Sequence, residues 1–236
     1  LKVYFQSLLT AICSPSPGCL NGGTCTSPNV CQCYIGGFGN QWQGSVCQDH
    51  LPSIITQTSD TYYAICYTVA GGDSTASTPG SGACQYTHGA LDENPLQAVD
   101  GNVNTKYLNY GYGSSSQSSS TQGTNTGFYV TPLNGISVLK GILFATANDS
   151  PERDPITCTV EGSNYGSSSL SYGWAWTLIY SGTTGIPGGY DPGRLIYMSS
   201  VAISNNVYYT SYRILITSQR GVANSVQYSE AHLLGY

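Results

Sequence analysis

Six of the nine cysteines fall between Cys13 and Cys47, and no other feature constrains the fold as much. A stretch of about 35 residues cannot bury a core of its own, so cross-links that restrict the unfolded chain must hold it. Cysteines at this density read as a disulfide framework, which requires an oxidising compartment. Zinc is the rival reading, but the spacing lacks paired C-x-x-C ligand units. The chain opens at Leu1 without a charged-then-apolar leader. The expectation is a mature secreted, extracellular chain whose signal peptide has been removed.

Composition narrows the function classes. Charged residues make up 8% of the 236, and 12 acids against 7 bases leave a net charge of −5. Seven bases cannot build a phosphate-tracking patch, which argues against nucleic acid as a partner. No apolar run is long enough for a membrane-spanning helix. Ser and Thr total 54, Gly 29 and Tyr 20. Such a surface hydrogen-bonds through hydroxyls and amides, and Tyr packs a ring while keeping its hydroxyl wet. This suits an extracellular β protein.

Four segments follow: an arm at 1–12, the cysteine-rich stretch at 13–48, a connector at 49–61 and a large region at 62–236. Strand-like runs lie at Tyr62–Val69, Gly127–Thr131, Leu139–Ala147, Ile156–Glu161, Trp176–Ser181, Val207–Thr217 and Gln227–Leu234. The run around Tyr212, Ile214 and Ile216 alternates with Arg213, Leu215 and Thr217, the period of a strand. Asn94–Val99 can form one helical turn, with Pro95 at its first position. Gly111–Gly127 is polar and of low complexity, a long surface loop. The expected fold is all-β: a small disulfide-rich module, then a β-sandwich or jelly roll.

The spacing Cys13-x5-Cys19-x5-Cys25-x5-Cys31-x-Cys33-x13-Cys47, with CLNGGTC between the second and third cysteines and CYIGGFG after the fifth, resembles the EGF-like family. The resemblance implies the pairing Cys13–Cys25, Cys19–Cys31 and Cys33–Cys47, which spacing alone does not choose. The last loop departs from the family by the insertion Asn40–Val46. The acidic residues of calcium-binding members are replaced here by LLTAI. The resemblance implies a spacer or docking module.

AVDGNVNTKY at Ala98–Tyr107, the stretch NDSPERDPITCTVEGSN leading to WTLIYSG, and the closing YRILITSQRGVANSVQYSEAHLLG together resemble the galactose-binding-like, discoidin-type jelly roll. That family holds a structural calcium in the A-x-D-G-N-x-x-T loop, closed by a Glu in the last strand. The matching positions are Asp100, Asn102, Thr105 and Glu230. Calcium takes six to eight oxygens, and Gly101 supplies a tight turn that aims them inward. The alternative is that Asp100 caps a turn by bonding backbone amides. The resemblance also implies a sugar site built from an aromatic platform and polar donors. The candidates are Arg153, Trp174, Tyr190 and His88. Arg153 stands between Glu152 and Asp154, which also reads as an ion-paired loop, and Trp176 reads as core. Cys66 and Cys84 flank a Gly/Ser/Thr loop and are expected to pair. Cys158 is expected to be a buried free thiol.

No catalytic constellation stands out. His50, His88 and His232 form no metal-binding pair. GDSTA at Gly72–Ala76 lacks the glycines of a serine-protease nucleophile, and no enzyme activity is expected. In the arm, Leu1, Val3, Phe5 and Leu9 share one strand face. That pattern fits a strand that folds back on its own jelly roll or, favoured because the cysteine-rich module stands between them, a donor strand for a neighbouring copy, and a head-to-tail contact that does not close makes a filament. The sequence therefore points first to a secreted, glycosylated subunit of an extracellular filament or matrix. The alternative is a carbohydrate-binding adhesion module that acts as a monomer. Asn148-Asp149-Ser150 is the one N-x-S/T sequon, with Pro151 behind it.

Overall fold

The computed structural model describes residues 52–87 and 93–236, together with the backbone of four short strands nearer the N-terminus. The chain divides into two compact units, residues 1–53 with Tyr236, and residues 54–235. In the first unit Thr24–Ser27 pairs antiparallel with Val30–Gln32, placing Cys25 opposite Cys31 in the backbone register. Trp42–Gln43 pairs with Asp49–His50. The arm residues Leu1, Val3, Phe5 and Leu9 lie outside the described residues. So do the side chains of Cys13, Cys19, Cys25, Cys31, Cys33 and Cys47, and hence their pairing.

The second unit is a β-sandwich of jelly-roll type. One sheet runs in the order Thr177–Thr183, Pro155–Ser163, Ser211–Gln219, Thr126–Thr131, Thr61–Tyr67, Thr75–Ala76. The opposing sheet centres on Ser137–Ala145 and Glu230–Gly235, with Val201–Ala202 and Tyr208–Tyr209 also paired to Ser137–Ala145. A third sheet orders Val226–Tyr228, Tyr107–Asn109, Gln85–Tyr86, Thr78–Pro79. Alternation aims Phe128, Val130, Val160, Tyr212, Ile214 and Ile216 from the first sheet into one core with Leu139, Ile142, Phe144 and Leu233 from the second. Removing this apolar area from water, at about 25 cal/mol per Å2, is the main force joining the sheets.

The seven strand-like runs all contain observed strands, with ends shifted by a few residues. The segment from Ile54 belongs to the sandwich: Ile55 is buried and its N–H donates to Leu233 O at 2.9 Å. Pro95–Ala98 is a single 3-10 turn, capped by Asn94 Oδ1, which accepts from Leu96 N at 2.8 Å. Cys66 and Cys84 form a disulfide, and Cys158 is a free, buried thiol. Burial pushes that thiol up to about 12, which keeps it protonated and unreactive. The strand Ser211–Gln219 departs from half-burial, because Arg213 and Leu215 are as buried as Tyr212 and Ile214 on the other face. Loops cover that outer face, and they build the site described next.

Candidate functional site

Strand register assembles a row of side chains across the outer face of the six-stranded sheet. Glu161 stands opposite Arg213, Arg213 opposite Tyr129, and Tyr129 opposite Tyr63. Arg213 Nε donates to Glu161 Oε2 at 2.7 Å, with both side chains buried. The Arg213 guanidinium also lies 4.9 Å from the centroid of the Trp176 ring. A cation over an aromatic face in a desolvated place is attractive by about 2 kcal/mol. A buried charge needs hydrogen bonds as well as its counter-ion. One loop, between Thr61–Tyr67 and Thr75–Ala76, supplies them. Arg213 Nη1 donates to Gly72 O at 2.9 Å and Ser74 Oγ at 2.8 Å, and Glu161 Oε1 accepts from Gly71 N at 2.7 Å.

The same ion pair thereby fixes the segment 164–176. Gly173 N donates to Asp73 Oδ1 at 2.7 Å, and Ser74 N to Ser171 O at 2.8 Å. Trp176 Nε1 donates to Leu170 O at 2.9 Å, and Leu170, Ala175 and Trp176 form a small second core against Tyr129. A Cβ on Gly173 would run into the Gly71 carbonyl, so the backbones can meet only because residue 173 has none. The short segment Gly72–Ala76 is thus structural, because Asp73 and Ser74 tie one loop to the other.

Held on this pinned segment are three large exposed rings. Tyr165 is 52% exposed, Tyr172 49% and Trp174 63%. Tyr165 meets Trp174 edge-on at 5.0 Å between centroids, and Tyr172 stacks on it at 6.0 Å. Beside them a cleft of about 400 Å3 is lined by Tyr63, Tyr129, Tyr86, Ser74, Asn94 and Ser171 among others. Tyr63 and Tyr129 stack at 4.7 Å. A second hollow of about 580 Å3 lies by Tyr67 and Tyr112, also stacked at 4.7 Å.

The opposite end of the same strand pair is different. Pro155 opposes Gln219 there, about 20 Å along the strands from Glu161 and Arg213. Asp154 is fully buried and accepts from Arg194 at 2.7 and 2.6 Å and from Arg220 at 2.9 Å. Arg220 also donates to the carbonyls of Pro151, Pro187 and Tyr190. The paired Asp154 carboxylate, and then Asp191, hold the Arg194 guanidinium further toward its charged form. Lys106 Nζ donates to Asn148 Oδ1 and Asp149 Oδ1, each at 2.9 Å, and to Gln227 Oε1 at 3.1 Å. Burial pushes the Asp149 carboxyl up, but hydrogen bonds from Lys106 and Gln227 outweigh it, and the net shift is downward.

The four sugar-site candidates do not form one group. Trp174 belongs to the aromatic segment. Arg153 donates to Gln227 Oε1 at 3.2 Å, and Tyr190 is exposed with its carbonyl on Arg220, so both belong to the charged end. His88 lies outside the described residues. Asp154 takes its charge partners from Arg194 and Arg220, so the ion pairing expected inside Glu152-Arg153-Asp154 is formed with distant residues instead.

The calcium candidates do come together. Asp100 Oδ1 accepts from Asn102 N at 2.8 Å and Oδ2 from Thr105 Oγ1 at 2.8 Å, and Thr105 Oγ1 also donates to Asn102 O at 2.7 Å. Glu230 is fully buried, and neither of its carboxylate oxygens has a hydrogen bond. His232 Nε2 lies 3.0 Å from Oε2, close enough for an ion pair but without hydrogen-bond geometry. Burial pushes the Glu230 carboxyl up, Asp100 adds to this, and His232 and the Gly101 amide oppose it. A buried carboxylate whose oxygens make no well-formed hydrogen bond, beside a second carboxylate, is a set of hard oxygens that fits calcium. Each Asp100 oxygen keeps a lone pair for a cation. Among the described residues no three His, Cys, Asp or Glu side chains gather as a metal cluster. Further ligands would have to be amide, hydroxyl or carbonyl oxygens.

Sequence reasoning misses Tyr63, Tyr129, Tyr165 and Tyr172. The abundance of Tyr is the only signal, since the row across the sheet depends on register.

No protein-family model and no curated protein sequence matches this chain. Among solved structures it is similar to the family 32 carbohydrate-binding module of Clostridium perfringens NanJ in complex with galactose, at 14% identity and a TM-score of 0.47, covering 78% of this chain and 98% of that one. A C. perfringens family 32 module in complex with GalNAc-β-1,3-galactose gives 11% and 0.47, covering 77% and 99%. The family 62 module of Clostridium thermocellum Xyl5A gives 17% and 0.40, covering 61% and 84%.

Proposed function

We propose that this is an extracellular glycan-binding protein whose sandwich holds sugar on the rings of Tyr165, Tyr172 and Trp174. One observation carries the reading: three large rings stand exposed on a backbone that a buried ion pair fixes from beneath. Isolated exposed apolar residues are ordinary, but a cluster of them marks an interaction site. A sugar ring presents C–H groups to an aromatic face and hydroxyls to its edges, and the surroundings here are rich in Ser, Thr, Tyr and amide groups. The proposed role is binding alone: among the described residues no nucleophile or acid–base pair stands at the rings.

In this reading residues 13–48 are an EGF-like spacer and calcium is structural, held by Asp100, Asn102, Thr105 and Glu230. The low charge and the Cys66–Cys84 disulfide support an extracellular setting. The filament reading rests on Leu1, Val3, Phe5 and Leu9, and nothing among the described residues favours it. The test is a glycan array probed with the full chain and with Trp174→Ala. Wild type should bind a defined set of glycans and the variant none of them. Wild-type binding to no glycan, or equal binding by both, would overturn the proposal.

A further inference from the structure

The structure assigns to the cleft beside Tyr63 and Tyr129 the interior of a neutral, chain-like glycan, an assignment that rests on reading the adjoining rings as a sugar platform. Three features support it. First, the cleft and the platform share one backbone segment. Ser171 lines it, next in sequence to Tyr172, and the hydrogen bond from Ser74 N to Ser171 O closes one wall. A ligand seated on Trp174 therefore has somewhere for its next units to go.

Second, the cleft has the chemistry of a pyranose site. Tyr63, 46% exposed and stacked on Tyr129, offers a ring face. Ser74, Ser171, Asn94 and the Tyr86 hydroxyl stand around it as neutral donors and acceptors. Third, among the described residues no Asp, Glu, Lys, Arg or His lines it. The sandwich gathers Lys106, Arg153, Arg194 and Arg220 at its other end, where internal partners engage them. A carboxylated or sulfated sugar would find no counter-charge among the described residues of the cleft, and a neutral one needs none. An extended peptide is the rival occupant, because Tyr62–Ala64 lies towards the sheet edge. Full strand addition is disfavoured there, since Ala64 O already accepts from Ser77 N at 2.9 Å.

The experiment is calorimetric titration of the full chain with manno-, xylo- and galacto-oligosaccharides, from monosaccharide to hexasaccharide. Oligogalacturonides serve as the anionic probe and a poly-Ala-Thr peptide as the extended-chain probe. In at least one neutral series affinity should rise by about tenfold or more from monosaccharide to tetrasaccharide. It should hold within about twofold when salt is raised enough to shorten the Debye length from about 10 to 3 Å. Tyr63→Ala and Asn94→Ala should flatten the length dependence and leave monosaccharide binding as in wild type, with melting curves confirming that both variants fold. Affinity that depends on Trp174 but not on length overturns this inference alone. Preference for the anionic series, or binding of the peptide in place of sugar, overturns it too. Absence of binding by every sugar removes both this inference and the function it rests on.

Discussion

The two ends of the strand pair Pro155–Ser163 and Ser211–Gln219 each hold arginine against carboxylate, yet they leave the surface in opposite states. At the charged end Asp154 gathers Arg194 and Arg220, and those arginines engage the carbonyls around them. The network closes on itself and presents little that a ligand could use. At the other end Glu161 and Arg213 are sealed beneath Trp176, and their further bonds go to one loop, to the backbone of Gly71 and Gly72 and the hydroxyl of Ser74. That pair holds a segment in place and leaves its rings in solvent. An ion pair whose arginines are taken up by neighbouring carbonyls can complete a fold, whereas one below a loop can prepare a binding face.

Breaking each end should expose the difference. The largest effect is expected from Arg213→Met, which leaves Glu161 buried without its partner. Removing one member of a buried pair costs about 3–5 kcal/mol. For a unit of this size that is roughly 6–20 °C in melting temperature. Glycan binding should fall with it, because the loop loses its anchor. A melting curve within a degree of wild type would refute the role given to the pair.

Calcium should matter next. Chelation should lower the melting temperature, and saturation at 100 times the dissociation constant corresponds to about 2.7 kcal/mol. Glu230→Gln should abolish the difference between chelated and calcium-loaded protein. Identical curves with and without chelator count against the site.

Trp174→Ala separates binding from folding. It should weaken glycan binding by about tenfold or more, about 1.4 kcal/mol. Stability should move by less than about 0.5 kcal/mol, since the ring is exposed. Acid sharpens the contrast from the other side. Asp149 is held below its ordinary 3.8 in the fold. Its contribution is therefore present above that value and lost as pH falls through the lower folded value. Asp149→Asn should make the acid side of the stability profile shallower without changing glycan binding. The smallest effect belongs to Tyr190→Ala. Only its carbonyl is engaged with Arg220, so neither melting temperature nor binding should change measurably. Loss of binding in that variant would move the sugar site to the charged end.

Much of the fold is legible in local patterns. Tyr212, Ile214 and Ile216 mark a strand because side chains alternate across a sheet, and Pro95 after Asn94 marks a capped turn because both residues act on neighbouring backbone. The pairing of Cys66 with Cys84 and the burial of Cys158 are legible for similar reasons. The site is less so. Trp174 stands out in the sequence, but Arg153 and Tyr190 stand out with it, although the sandwich places those two among the arginines and carboxylates of the charged end. Arg213 reads as the solvent side of a strand and is one of the most buried side chains of the sandwich.

The sequence by itself determined an all-β chain with a cysteine-dense start, its main strands, a turn geometry at Asp100–Thr105 and a surface of hydroxyls and rings. These follow from periodicity, composition and interactions over a few residues. Tertiary structure decided which rings meet. Tyr63, Tyr129 and Arg213 stand in one row because three strands distant in the chain pair in one register. Trp174 is held out to solvent because Gly173 lets two backbones touch. Sequence patterns carry the period of a strand but not its neighbour, and the neighbour is what turns scattered tyrosines into a binding face.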